Sequence, residues 1–170
     1  MRAPAGITTL LLDVDGVLTP GLITYAGSDF ESKSFHARDG HAIKWALRSG
    51  LRVGAVSGRR GPAVERRLAE LGCEPCLLGV SDKVAEVEAW FATAGGEWAS
   101  TAFVGDDIPD LPCMERAAWG VAVADAAPAL RRRAHAVTHA VGGSGAVAEV
   151  IRCLLRGRDA LANDRVVMHG

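Results

Sequence analysis

Short, unbroken apolar runs alternate with helix-length amphipathic segments along most of this chain. That alternation limits the possible folds more than any other feature. Thr8–Val14, Leu51–Val56, Pro75–Leu78, Ser100–Val104 and Trp119–Val123 read as buried strands, and Val137–Thr138 as a sixth. His41–Ser49, Gly61–Leu71, Ser81–Ala94, Ile108–Ala117, Ala127–Arg133 and Gly145–Arg156 read as the helices between and after them. Gly61–Leu71 carries Pro62 near its start and Gly72 just past its end, the usual asymmetry of helix termini. Strands apolar on both faces need a helical layer on each side. The expected class is therefore α/β, with a doubly wound parallel sheet.

Residues 16–36 interrupt the pattern. Gly21–Tyr25 and Phe30–Phe35 flank Ala26-Gly-Ser-Asp29 and read as a β-hairpin projecting from the first strand, a segment spanning about 17–36. A length of 170 residues suits one domain, taken as 1–156. The remainder, 157–170, has no clear period and is expected to be a mobile C-terminal tail.

A net charge of −1 calls for neither nucleic acid nor an anionic membrane as partner. No apolar run reaches the roughly 20 residues needed to cross a bilayer. The start, MRAPAGITTLLLDVDG, runs from a short apolar stretch into acidic residues and lacks a cleavage site, so a cytoplasmic protein is expected. Cys73-Glu-Pro-Cys76 has redox spacing but follows a helix rather than opening one, and no second pair completes a zinc set. The four cysteines read as small buried or semi-buried residues. Trp45 and Trp90 fall on helical core stripes; the spacing does not place Trp98 and Trp119 beyond a strand edge or core.

In an open parallel sheet, ligands bind beyond the carboxyl ends of the strands. Asp13, Asp15 and Gly16 follow the first strand; Ser57, Gly58, Arg59 and Arg60 follow the second. Lys83 opens the helix after the third, and Asp106, Asp107 and Asp110 follow the fourth. Clustered carboxylates repel and are costly to desolvate, so they imply a cation. An all-oxygen set drawn from Asp13, Asp106 and one or both of Asp107 and Asp110, with Asp15 beside them, suits Mg2+. Ser57, the N–H groups near Gly58, and Lys83 would then hold a phosphate. Asp13 is the candidate nucleophile and Asp15 the candidate acid/base. Ser57 also suits a helix cap, and Arg131–Arg133 a solvated helix face.

Asp13-Val-Asp15-Gly16-Val-Leu-Thr19, Val56-Ser57-Gly58-Arg59, Lys83 and Val104-Gly105-Asp106-Asp107 with Asp110 resemble, in order, the four motifs of the haloacid dehalogenase superfamily. Phe35-His-Ala-Arg38-Asp39-Gly40, Ser57-Gly-Arg-Arg60, Gly79-Val-Ser-Asp82-Lys83, Val121-Ala-Val-Ala-Asp125-Ala126 and Gly142-Gly-Ser-Gly145-Ala146 extend the resemblance. They point to its 3-deoxy-D-manno-octulosonate 8-phosphate phosphatase subfamily, over nearly the whole chain. The resemblance implies a Rossmann-like core without a cap domain, magnesium dependence, an aspartyl-phosphate intermediate and a sugar phosphate substrate. It also implies a homotetramer in which hairpins meet and Arg38 or its neighbours complete an adjacent site. The gaps between motifs agree with the capless reading, since none can hold a large insertion. Arg59 or Arg60 could grip a substrate carboxylate. Three other readings stay open. The substrate could be a nonulosonate 9-phosphate. The domain could be a weakly catalytic tetramerising module of a sialate-activating enzyme, or a phosphate receiver, whose acceptor would lie on a middle strand instead.

Overall fold

A computed structural model describes residues 1–25 and 31–167 of the chain. Six strands form one sheet: β1 (Thr9–Leu12), β4 (Arg52–Ser57), β5 (Cys76–Leu78), β6 (Thr101–Gly105), β7 (Trp119–Ala122) and β8 (Ala136–Val137). Their order is β5-β4-β1-β6-β7-β8, and every pairing is parallel. The class is the expected doubly wound α/β sheet. The chain runs outward from β1 to β5, then returns to β6 on its other side. The order thus reverses between β1 and β6, which is where such sheets bind ligands.

Six α-helices connect and cover the strands: α1 (Ala37–Arg48), α2 (Pro62–Leu71), α3 (Lys83–Ala94), α4 (Leu111–Arg116), α5 (Pro128–Arg133) and α6 (Ala146–Val167). Right-handed crossovers set α1 and α2 on one face of the sheet and α3, α4 and α5 on the other. α6 packs against α1 and completes the first layer. Leu10, Leu11 and Leu12 of β1 and Phe103 of β6 are fully buried. Each contributes about 1.5–3 kcal/mol by leaving water. The central strands are therefore apolar without alternation.

Several boundaries moved. α1 starts at Ala37, not His41, and runs through the polar stretch Arg38–Asp39–Gly40. Tertiary contacts explain this: Asp39 is buried and accepts from Gly145 N at 3.1 Å and Ala148 N at 2.8 Å, capping α6 from a distance. α3 starts at Lys83 rather than Ser81 and is capped by Asp82, whose carboxylate accepts from Val84 N and Ala85 N. The expected helix over 108–117 is instead a 3-10 turn, Ile108–Asp110, followed by the short α4. The segment from 157, which has no readable period and was expected to be a tail, continues α6 as helix through Val167.

The hairpin is present as β2 (Thr24–Tyr25) paired antiparallel with β3 (Glu31–Ser32). Its expected turn, Ala26–Asp29, and Phe30 lie outside the described residues. No cap domain interrupts the described residues. None of their helices is long and apolar enough to cross a membrane.

Two core expectations need correction. Trp45 is 43% exposed, and Cys76 is exposed, its thiol donating to Cys73 O at 3.2 Å. Trp119 is buried, and Trp98 sits edge-on to Phe91 with ring centroids 5.3 Å apart.

Candidate active site

The sheet brings the ends of β1, β4 and β6 together, and with them the acidic residues. Asp13 follows the last residue of β1, its N–H held by Val104 O of the neighbouring strand at 2.9 Å. The chain then turns sharply: Val14 O accepts from Leu18 N and Thr19 N, each at 3.0 Å. Gly16 takes a φ of 96° in this turn, in the left-handed region that favours glycine. A Cβ there would meet Asp106 Oδ2 at 2.1 Å. On the other side of Gly16 lies the Gly-rich loop after β8. A Cβ on Gly142 would meet Gly16 O at 1.6 Å, while Gly142 N donates to Asp125 Oδ1 at 2.9 Å. The glycines of these motifs thus permit close backbone approach, and Asp125 and Asp39 hold the Gly-rich loop at its two ends.

Asp13, Asp106 and Asp110 offer carboxylate oxygens that all lie within 4.8 Å of one another. Lys83 Nζ reaches Asp13 Oδ1 at 2.5 Å and Asp110 Oδ1 at 2.7 Å. The other oxygen of Asp110 accepts from Asp106 N at 2.9 Å and Asp107 N at 3.4 Å. Asp110 is thereby fully engaged and organises the turn. One ammonium faces three carboxylates. Burial first, and then the charge of Asp110, push the Asp13 carboxyl up to about 7, against the pull of Lys83. Burial and the charges of Asp13, Asp110 and Asp107 push Asp106 up to about 8. Burial opposes the charge on Lys83, but Asp13 and Asp110 outweigh it and raise its pKa. Two carboxyls that retain protons near neutrality, with a hard all-oxygen donor set, fit a divalent cation held chiefly by Asp13 and Asp106.

Asp107 is placed differently. Its side chain accepts from Ile108 N at 2.8 Å and caps the following turn, outside the carboxylate group. Ser57, the last residue of β4, is buried and accepts from Arg59 N at 3.2 Å. Gly58 and Lys83 border a cavity of about 550 Å³ that also includes Val80, Pro112 and Arg116. Arg60 turns away to Glu65 at 2.6 Å. Arg38 is exposed and has no ion pair among the described residues.

Asp15 does not join the acid cluster. It faces the hairpin, where it pairs with Lys33, and its Oδ2 lies 3.6 Å from Arg59 Nε. Lys33 also reaches Glu31 Oε1 at 2.8 Å, and Glu31 Oε2 takes Arg59 Nη2 at 2.6 Å. Sequence reasoning missed Lys33 and Glu31, which fall in a hairpin strand with no superfamily motif. Their alternation with Phe35 on one face of β3 and its continuation was the available signal.

A buried carboxylate bridged by a lysine to a second carboxylate, beside a third and a buried hydroxyl at a sheet's switch point, fits a phosphatase of the haloacid dehalogenase type. The comparisons agree. The family profile of haloacid dehalogenase-like hydrolases matches residues 79–151. The 3-deoxy-D-manno-octulosonate 8-phosphate phosphatase KdsC of Salmonella typhi is 43% identical over 91% of this chain and 82% of its own. A crystal structure of a probable YrbI family phosphatase from Pseudomonas syringae superposes with a TM-score of 0.89 at 37% identity, covering 97% of this chain and 94% of the other. The Moraxella catarrhalis octulosonate phosphatase, in complex with magnesium ion, phosphate ion and a KDO molecule, superposes with a TM-score of 0.88 at 30% identity over 96% and 94%. The chain belongs to the 3-deoxy-D-manno-octulosonate 8-phosphate phosphatase family of haloacid dehalogenase-like hydrolases, and is a phosphoric monoester hydrolase.

Proposed function

We propose that the protein hydrolyses a 2-keto-3-deoxy sugar acid phosphate, namely 3-deoxy-D-manno-octulosonate 8-phosphate, through an aspartyl phosphate on Asp13. The observation that carries the chemistry is the Lys83 bridge between Asp13 and Asp110 beside Asp106, whose carboxylate has no ion pair among the described residues. Asp13 attacks phosphorus: the Asp13 Oδ–P bond forms as the bond from phosphorus to the sugar oxygen breaks. Asp15 gives its proton to the leaving oxygen, and regains one from the water that later attacks the acyl phosphate. Ser57 and the backbone N–H groups after it bind the phosphoryl oxygens, and Lys83 offsets their charge while orienting Asp13. Asp13 and Asp106 would hold Mg2+, which when bound would supply further charge neutralisation there.

The substrate assignment is supported by Arg59, whose guanidinium stands next to Asp15 and suits a carboxylate. Gly58 and Arg60 border the same site in this reading, and Arg38 or its neighbours complete the site of an adjacent subunit. We also infer a homotetramer in which a neighbour supplies the missing lid. Leu22, Ile23 and Tyr25 of the hairpin are 70, 46 and 71% exposed, an apolar set that association would cover. The free cysteines accord with a reducing, cytoplasmic setting. The test is phosphate release, with magnesium, from the octulosonate ester, nonulosonate 9-phosphates and hexose phosphates. A large kcat/KM preference for the octulosonate ester is expected. An equal or greater value on a nonulosonate ester would overturn the assignment. Sedimentation tests the assembly: a stable, fully active monomer would overturn the shared site.

A further inference from the structure

Lys33 lies outside the superfamily motifs, yet its side chain is only 5% exposed. Burying an ammonium group is costly unless it is fully paired, and a methionine would fill the same space without that cost. Its partners therefore matter. Lys33 Nζ donates to Asp15 Oδ1 and to Glu31 Oε1. Glu31 holds Arg59, and Arg59 Nε faces Asp15 Oδ2, closing a ring of alternating charge.

The two oxygens of Asp15 are treated unequally. Oδ1 takes Lys33 and, at 3.5 Å, the Thr19 hydroxyl. Among the described residues, Oδ2 has only Arg59 Nε at 3.6 Å, beyond ordinary hydrogen-bond length. Arg59 is also the most exposed member of the ring, 46% exposed against 5% for Lys33. Were Arg59 to turn to a substrate carboxylate, the buried Lys33 would still hold Oδ1 and leave Oδ2 without its cation.

We propose that Lys33, itself held by Glu31, is a positioning residue that anchors one oxygen of Asp15 so that the other is presented to the leaving oxygen of the substrate. The hairpin strand thus takes part in the proton transfer without touching substrate. This rests on the acid/base role given to Asp15 above.

The test compares kcat/KM on esters that do and do not need a proton at the leaving oxygen. A sugar phosphate expels an alkoxide and needs it; p-nitrophenyl phosphate expels a stable phenolate and does not. For Lys33→Met, kcat/KM on the octulosonate ester should fall by about 10²-fold, and on p-nitrophenyl phosphate by less than about threefold. Asp15→Asn should show the same pattern in larger measure, Lys33→Arg should restore part of the loss, and Glu31→Gln should shift the ratio in the same direction by less. Both esters are measured on one sample, so a lower folded fraction cancels from the ratio. An equal fall on the two esters, or no change on either, would overturn the proposal. If the unaltered protein shows no preference for the octulosonate ester, the substrate reading fails. The same ratio, measured with a hexose phosphate as the alkyl ester, still decides the role of Lys33.

Discussion

The acid cluster at the strand ends and the charged ring under the hairpin share the loop after β1, but they hold their side chains by different means. Asp13, Asp106, Asp110 and Lys83 are fixed by the sheet and by the first turns that follow it. Asp13 N bonds to β6, and Asp110 bonds back to the N–H groups of its own turn. Asp15, Lys33, Glu31 and Arg59 are held mainly by one another, with Lys33 and Glu31 arriving on a two-strand hairpin outside the sheet. The first group carries excess negative charge; the second has two cations for two carboxylates. On the function proposed above, the acid cluster receives the cation and the phosphoryl group, and the ring holds and releases a charged substrate arm.

The contrast can be broken at several points. Asp13→Asn should lower turnover on every ester by on the order of 10⁴-fold or more while leaving the fold intact, because the nucleophile is lost whatever the leaving group. Near-normal turnover by a folded variant, checked by circular dichroism, would refute the assignment. Lys83→Met should cost about 10²–10³-fold in kcat, again on all esters. Arg59→Ala should act selectively, lowering kcat/KM about tenfold on acid-bearing sugar phosphates and little on hexose phosphates. A uniform loss would move Arg59 from substrate recognition to the common machinery.

Two thermal measurements sharpen the same comparison. Asp13 and Asp106 have carboxyl pKa values raised by folding, to about 7 and about 8. The metal-free folded state therefore binds more protons than the unfolded one above the ordinary carboxylate range of about 4. Its stability should fall as pH rises from about 4 towards 8, and should level off above. Magnesium competes with those protons, so it should raise Tm more at pH 8 than at pH 6. A shift that does not depend on pH, seen in EDTA-treated samples with magnesium restored, would argue against these two ligands. The smallest effect on catalysis is expected for Asp39→Ala, which removes the cap on α6 and leaves two buried N–H groups unpaired. It should lose about 1–3 kcal/mol of stability, read by urea melts, with little change in turnover per folded molecule.

The acid cluster was legible in the sequence because each member sits at a strand end or in the turn after it. Strand ends can be read from unbroken apolar runs such as Leu10–Leu12 and Ala102–Val104. The ring was legible only in Asp15 and Arg59. Lys33 and Glu31 look like ordinary charges on a polar strand, since nothing local states that the hairpin folds back onto the loop after β1. Asp39 was similarly opaque: its partners, Gly145 and Ala148, lie over 100 residues away.

By itself, the sequence determined the parallel sheet, the order of its elements and the carboxylates at its mouth, because apolar period and strand-end position are local properties. Tertiary structure decided the rest. It assigned Asp107 to capping and Asp110 to Lys83, separated Arg59 from Arg60, and extended α6 through Val167. Those outcomes depend on which buried charge finds a partner, and partners are chosen by distance in space rather than by distance along the chain.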